Sequence, residues 1–486
     1  MAPSHPQGIT QRHRDADSKL DVLIVGAGLG GLGAAISILL AGHTVHILES
    51  ASEISEIGAG IQCLPNATRV LISWGLQTKL EKIAMKPKKV NVRGWKGELI
   101  SDMDFDDYEQ ECGSPFWDFH RAELHAVLLG RAEELGARLS IGKRVVDVQC
   151  SSRSEEASVA VAVCADGTRY GAHLVVGADG VHSQCRELLL GRKDPPLLTG
   201  DLAYRLLLDT APMREDPELK HFIDDPQVNY WVGPDAHAVT YLLRAGTLLN
   251  MVLLVPDDMP AGATTLAGNV QEMRALYRAW DPLIPKLLSL CTHVSKWRLT
   301  MRPQPEPSWS HPSVSFTLLG DAAHATLPYL ASGAGMSIED GHVLGLCLSA
   351  VTSRRTAEKE KALAVYERCR RERTARVVER GNLQQFLYHL HDGPEREERD
   401  ALLRAFEGLE GEGRVRVSRF NEVRGGEGMD PLAWRWGGVG GWLLTYHCEE
   451  DVDRRRREVE AEAEAEEKRG GERLAREGEM GVKAVL

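Results

Sequence analysis

The chain has 486 residues, 43% hydrophobic and 26% charged, with 58 basic against 70 acidic side chains and a formal net charge of −12. That length predicts two or three domains, and the acidic balance argues against a nucleic-acid-binding surface. Nine cysteines, an odd number with no C-x-x-C pair, predict reduced thiols in a cytoplasmic protein and no disulfide frame or metal site.

Residues 1–19 are polar and read as a loose arm, without the leader and cleavage signature of a signal peptide. Asp21 to Ser50 follows as strand, glycine turn, helix, strand and acidic residue. Val22–Val25 is a short β-branched run suited to a buried parallel strand. Gly26, Gly28 and Gly31 fit G-x-G-x-x-G: the first for a tight turn, the second for approach to a pyrophosphate, the third for close packing of helix on strand. The helix predicted from Leu29 to Ala41 aims its N-terminus at that pyrophosphate. Thr44–Leu48 forms the next strand, and Glu49 stands where a carboxylate accepts hydrogen bonds from an adenosine ribose. Together these signals predict a bound dinucleotide. A glycine-rich packing unit and a membrane span over Val22–Ala41 are the alternatives; the glycine spacing and flanking strands oppose both, and no other stretch is long and apolar enough to cross a membrane.

A second glycine cluster, Glu53–Gln62, includes Gly60 and reads as a loop whose N–H groups can face a ring. Asn66–Leu80 is helical, Lys88–Asp104 holds strand pieces around a glycine turn, and Phe119–Leu135 is a strand end and a helix with Arg121 at its start. By itself Arg121 is as well read as a surface cation. In His173–Arg186 an apolar strand delivers Asp179-Gly180 to a turn, with Ser183 and Arg186 at a helix start, the geometry that meets a polar ligand at the carboxyl edge of a parallel sheet.

From Leu202 to Val255 short strands and turns predict an antiparallel meander. His237 and Tyr241 share one face of its strand, about 13 Å apart. They can line one pocket wall, although a satisfied sheet position is the blander reading for each, and for Arg205. Val314–Leu319 is another strand, leading to Gly320-Asp321, Pro328, the run Gly333-Ala334-Gly335 and a helix from Met336 to Val351. Thr356–Gln385 reads as a long, mostly solvated helix. Gly408–Arg414 and Gly425–Pro431 are linker-like, Trp434–Tyr446 is apolar enough to dock, and the tail from Glu449 is an exposed charged helix or disordered.

Taken in order, GAGLGG with Glu49, Arg121, Asp179-Gly180, and Gly320-Asp321 followed by Pro328 and a glycine-initiated helix resemble the FAD-dependent aromatic hydroxylase family of the para-hydroxybenzoate hydroxylase fold, in its salicylate hydroxylase-like fungal branch. The likeness runs from about Leu20 to Glu450. It implies an α/β fold: a Rossmann-like FAD-binding domain from 20–85, 115–195 and 300–352, an inserted antiparallel β-sheet substrate domain from 86–114 and 196–299, a C-terminal helical region over 353–448 and a charged tail over 449–486. It also implies roles. Glu49 would hold the adenosine ribose, Arg121 the ribityl and pyrophosphate region, Asp179 the pyrophosphate side and Asp321 a ribitol hydroxyl. Gly333, Ala334, Gly335 and Met336 would face the flavin's pyrimidine end, and the loop Gly58–Ile61 would pass near the isoalloxazine. His237 would be the base for a phenol, with Arg205 and Tyr241 holding the phenolate.

The implied activity is FAD-dependent monooxygenation of a phenolic small molecule, in secondary metabolism or aromatic degradation, with NADPH or NADH and O2 and through a flavin C4a-hydroperoxide. The enzyme would be a monomer or homodimer. Ser332 replaces the glutamine usual before the last glycines, which puts side-chain contacts near the flavin in doubt. No second complete G-x-G-x-x-G unit appears, as suits transient NAD(P)H binding. The rivals are a dearomatising hydroxylase or epoxidase acting on a polyketide or alkaloid, a flavin reductase or oxidase, and a non-catalytic Rossmann-type binding protein.

Overall fold

In the computed structural model, the described residues are 10–54, 59–105, 108–151, 158–302, 306–405, 430–435 and 439–483, with backbone alone for 467, 468 and 470–483. Five strands make a parallel sheet in the order Phe316–Leu318, Leu174–Gly177, Asp21–Val25, Thr44–Leu48 and Arg138–Ser140. Val22 through Val25 are buried, as a strand covered on both faces requires. The helix Leu29–Leu40 lies on this sheet and packs along the helix Gly333–Ser349. A chain-reversing glycine, Gly75 with φ +79°, divides the stretch read as one helix into Pro65–Ser73 and Gln77–Leu80.

The second sheet has eight strands, in the order Thr265–Ala267, Ser295–Met301, Leu197–Asp209, Leu248–Pro256, Ala236–Leu243, Gln227–Gly233, Lys89–Gly94 and Leu99–Asp104. Neighbours are antiparallel except where Gln227–Gly233 meets Lys89–Gly94, the parallel junction between two segments far apart in sequence. The register puts functional residues in one row. Arg205 pairs with Val252 and Val252 with Val239, so Arg205 stands on the same face as His237 and Tyr241, two positions either side of Val239.

Three regions differ from expectation. Residues 10–19 are tied down: Arg12 and Arg14 donate to the carbonyls of Ser349, Leu348 and Ala41, satisfying helix-end acceptors that water would otherwise serve. The long helix is Thr356–Tyr388 and is far from solvated, with Arg370, Arg373 and Arg380 buried. The tail helix, Cys448–Lys483, buries Cys448, Asp451 and Val452 against the helices Gly333–Ser349 and Thr356–Tyr388. Gly58, the linker-like stretch Gly408–Arg414 and most of Gly425–Pro431 fall outside the described residues. All nine cysteines are free. Among the described residues no helix is long and apolar enough to cross a membrane, and no group of acidic, His and Cys side chains has a metal-binding arrangement.

Candidate active site

The glycine turn closes the carboxyl end of the parallel sheet. Gly26 has φ +109°, and a Cβ there would stand 2.4 Å from the Ala178 carbonyl oxygen; at Gly31 it would be 2.1 Å from the Gly26 oxygen. At Gly28 a Cβ would meet nothing within 4 Å. The open space beside Gly28 belongs to two adjoining cavities, which share Gly28, Ala178 and Gly180 and so form one trough across the end of the sheet.

Gly26, Glu49, Asp179, Lys143 and Arg144 line the outer cavity. Glu49 is engaged locally: its Oε2 accepts the Ala27 N–H at 2.9 Å and its Oε1 the Ala51 N–H at 2.8 Å. Asp179 likewise accepts the Cys185 N–H at 2.9 Å and the Ser183 hydroxyl at 2.5 Å, while the Ser183 oxygen caps the helix Gln184–Leu190 by accepting the Arg186 N–H. Both carboxylates therefore stiffen the turns that border the trough.

The inner cavity has a volume of about 310 Å³ and lies between the two sheets. Gly28, Gly60, Arg121, Asp321, Pro328, Gly333 and Ala334 line its parallel-sheet side; Arg205, Tyr230, His237, Val239 and Tyr241 line the other. The helix expected to follow the glycines in fact begins with them, at Gly333. At about 100° per residue, this turns Gly335 and Met336 away: Gly335 faces Ala67, and Met336 is buried in the core. Gly31 is likewise buried, in the helix–strand contact.

The cavity's ionisable groups are set by depth and by one another. Asp321 is exposed onto the cavity, and the protein enclosing that cavity raises its carboxyl above the usual range by desolvation, against the opposing fields of His324 and Arg121. Burial lowers the Arg205 guanidinium, and nearby Arg121 adds to the effect. Arg205 lies over the Trp297 ring at 5.1 Å, its Nε is buried without a partner, and no carboxylate among the described residues pairs with it. Burial raises the Tyr241 hydroxyl, with Asp118 acting in the same sense and Arg205 against it. His237 is held neutral, its pKa pushed well down by burial and by His389.

A buried ionic cluster supports the Asp321 turn. Asp340 Oδ2 accepts the Gly320 N–H at 2.9 Å and lies 2.5 Å from His324 Nε2, while its Oδ1 accepts from Arg370 Nε at 2.6 Å. Glu339 pairs with Arg370 and Arg373 and accepts from Asn66 at 2.6 Å. Sequence reasoning missed this cluster. Its trace was the pair Glu339-Asp340 inside an otherwise apolar helix, which burial permits only with cationic partners.

The trough has the features FAD requires: a glycine turn with an open Cβ position at a helix N-terminus, and polar borders at one end and an aromatic chamber at the other. Residues 19–381 match the family described as FAD binding domain. The chain is 40% identical over 390 residues to FAD-dependent monooxygenase OpS4 of Beauveria bassiana (strain ARSEF 2860), covering 79% of this chain and 89% of that protein. It is 32% identical over 378 residues to 3-hydroxybenzoate 6-hydroxylase of Polaromonas naphthalenivorans (strain CJ2), covering 77% and 90%. Among solved structures, a salicylate hydroxylase substrate complex shares the fold at a TM-score of 0.70 and 24% identity, over 91% of this chain and 98% of that one. The chain belongs to the FAD binding domain family and is an FAD-dependent monooxygenase.

Proposed function

We propose that the enzyme hydroxylates a phenolic small molecule bound in the inner cavity, with NAD(P)H as reductant and O2 as oxygen source. The observation that carries this reading is the wall formed by Arg205, His237 and Tyr241 on one sheet face, opposite Asp321 and Gly333. A buried cation without a carboxylate partner is a standing site for an anion, here the substrate's phenolate or carboxylate. Tyr241 supplies a hydroxyl beside it. His237, neutral in this setting, has a ring nitrogen free to accept the phenol's proton in transit, since burial disfavours a standing imidazolium there.

When bound, FAD would carry electrons from NAD(P)H to O2 and so activate that oxygen for transfer to the substrate ring. Gly28 and Gly180 would leave it backbone-facing room, Arg121 and Asp321 would hold its polar chain, and Gly333 and Ala334, at a helix N-terminus, would offer the positive end of the dipole to its ring. The wall orients the substrate ring, and the apolar lining of Val239, Val252, Leu254 and Leu327 limits water at the reacting centre. The nine free cysteines suit a cytoplasmic enzyme.

The test is aerobic NADPH and NADH oxidation by the FAD holoenzyme with a panel of phenolic acids, 3-hydroxybenzoate and salicylate included, and resorcinol-type polyketides, with products read by mass. A substrate-stimulated rate with gain of one oxygen is expected, and loss of a carboxylate alongside it would define a decarboxylating hydroxylation. Peroxide release without an oxygenated product across the panel would overturn the phenol reading.

A further inference from the structure

His237 faces two ways. It lines the inner cavity, and its Nδ1 lies 2.8 Å from Nε2 of His389 on the far side. His389 follows the last turn of the 33-residue helix Thr356–Tyr388, where its N–H reaches the Gln385 and Phe386 carbonyls. Beyond His389 is a separate crevice, bordered by Asp235, Asn382, Gln385, Phe386 and His391, that opens to the surface. Two imidazoles in contact thus join a buried chamber to solvent through the body of the protein.

We propose that this pair is a proton relay, carrying the phenol's proton from the inner cavity to the outer crevice, with His389 as a positioning residue that touches no substrate. The inference rests on the phenol reading above. In the forward step the phenol O–H bond breaks and the proton passes to His237 Nε2. The Nδ1 proton of His237 moves to His389 Nε2, and the Nδ1 proton of His389 leaves toward Asp201 or the crevice. No electrons move beyond the bonds exchanged. Reprotonation of the product phenolate runs the same path backwards and restores both tautomers.

The surroundings give the relay its direction. The Tyr230, Tyr329 and Tyr388 rings surround His237, with centroids 6.3, 5.1 and 5.3 Å away, and among the described residues no carboxylate acts on its ring. Asp201 Oδ2 lies 3.7 Å from His389 Nδ1, and Asp235, whose N–H donates to the His389 carbonyl, adds its field. A helix C-terminus also favours a cation. Burial lowers both imidazoles, but only His389 has carboxylates acting in the other direction. Gln385 donates to Asp201 at 2.5 Å and the Tyr329 hydroxyl donates to it as well, which holds that carboxylate in place; His391 sits 2.9 Å from Asp235. A transiting proton is therefore better stabilised on His389 than on His237.

The test is His389→Ala in the FAD holoenzyme, assayed with 3-hydroxybenzoate, or with whichever panel phenol gains oxygen fastest. FAD content should match the unsubstituted enzyme. Below the phenol's own ionisation, kcat should fall about tenfold or more; above it, where substrate enters as phenolate, the deficit should close. Added 4-methylimidazole, small enough for the crevice, should restore rate to His389→Ala and not to His389→Phe. A deficit equal at all pH values without rescue, or no deficit, would overturn the relay. If no panel phenol is oxygenated, the phenol reading fails on its own, and the coupling is still read from ¹⁵N-histidine spectra of the holoenzyme. There, His389→Ala should release the hydrogen-bonded His237 Nδ1 signal; an unchanged signal would overturn the relay.

Discussion

Replacing Gly60 by alanine tests how tightly the strand Gly60–Cys63, paired with Trp117–His120, is packed against the eight-stranded sheet at the cavity. The added Cβ would stand 2.5 Å from Cε2 and from the hydroxyl oxygen of Tyr241, and 2.7 Å from Cγ of Asn250. Carbon contacts relax near 3.5–4.0 Å, so about 1 Å must be found. Gly60 itself has little freedom, because it pairs with His120 and its N–H donates to Asn250 Oδ1 at 2.8 Å. Tyr241 must therefore move from within the central strand Ala236–Leu243. Overpacking of this kind costs about 1–3 kcal/mol. Gly60→Ala should lower the thermal midpoint of the holoenzyme by a few degrees, raise KM for the phenol, and divert reducing equivalents from oxygenated product to peroxide. The assay is a thermal melt beside a product-to-NAD(P)H ratio. An unchanged midpoint together with an unchanged ratio would refute the claim that Tyr241 is fixed against the strand Gly60–Cys63.

Other substitutions probe the rest of the site. Asp321→Ala should lower the flavin-to-protein ratio measured by absorbance after gel filtration, and full occupancy would remove Asp321 from the FAD contacts. Arg205→Gln should raise KM for a phenolic acid by about ten- to a hundredfold, as loss of about 1.5–3 kcal/mol of charge-assisted hydrogen bonding implies, without lowering stability, since it removes a buried cation that has no carboxylate partner. Lower stability with unchanged KM would refute the anion site. His43 is lowered from 6.5 to about 4, chiefly by burial; it accepts the Leu20 N–H at Nδ1 and lies 2.9 Å from the Leu348 carbonyl at Nε2. Its folded value is the depressed one, so its neutral form stabilises the fold above pH 6.5, and about 3 kcal/mol is lost as pH falls from there to about 4. Chemical denaturation across that window should show a shallower pH slope for His43→Gln, and an identical slope would discount His43.

What could be read from sequence was what is coded locally. The strand, glycine turn and helix from Asp21 to Leu48 are signalled by residue types within a few positions of one another, and the even spacing of His237 and Tyr241 set them on one face before any partner strand was known. Asp340 was hidden because its value depends on Arg370, thirty residues on in another helix. The arginines of Thr356–Tyr388 looked solvated for the same reason: a charge pattern marks an exposed face only when no buried carboxylate waits opposite. Glu49 and Asp179 were placed beside the trough by their motifs, but their engagement with backbone N–H groups is a matter of turn geometry that composition does not carry. His389 had no motif at all, and only the return of the long helix to the second sheet brings it to His237.

The contact between the glycine-turn helix and the helix Gly333–Ser349 also bears on how the protein is made. Ser37 bonds His342 across 305 residues, and a Cβ on Gly341 would fall 2.4 Å from the Ala34 nitrogen, so the two helices fit only face to face. A nascent chain that has exposed its dinucleotide motif near the N-terminus must wait for most of the remaining sequence before that helix is covered. Contacts of such long range fold slowly and leave apolar surface open in the interval. A cofactor that binds the closed form and not the open one would pull that equilibrium toward the native state. Supply of FAD during synthesis should therefore raise the yield of folded enzyme as well as its activity.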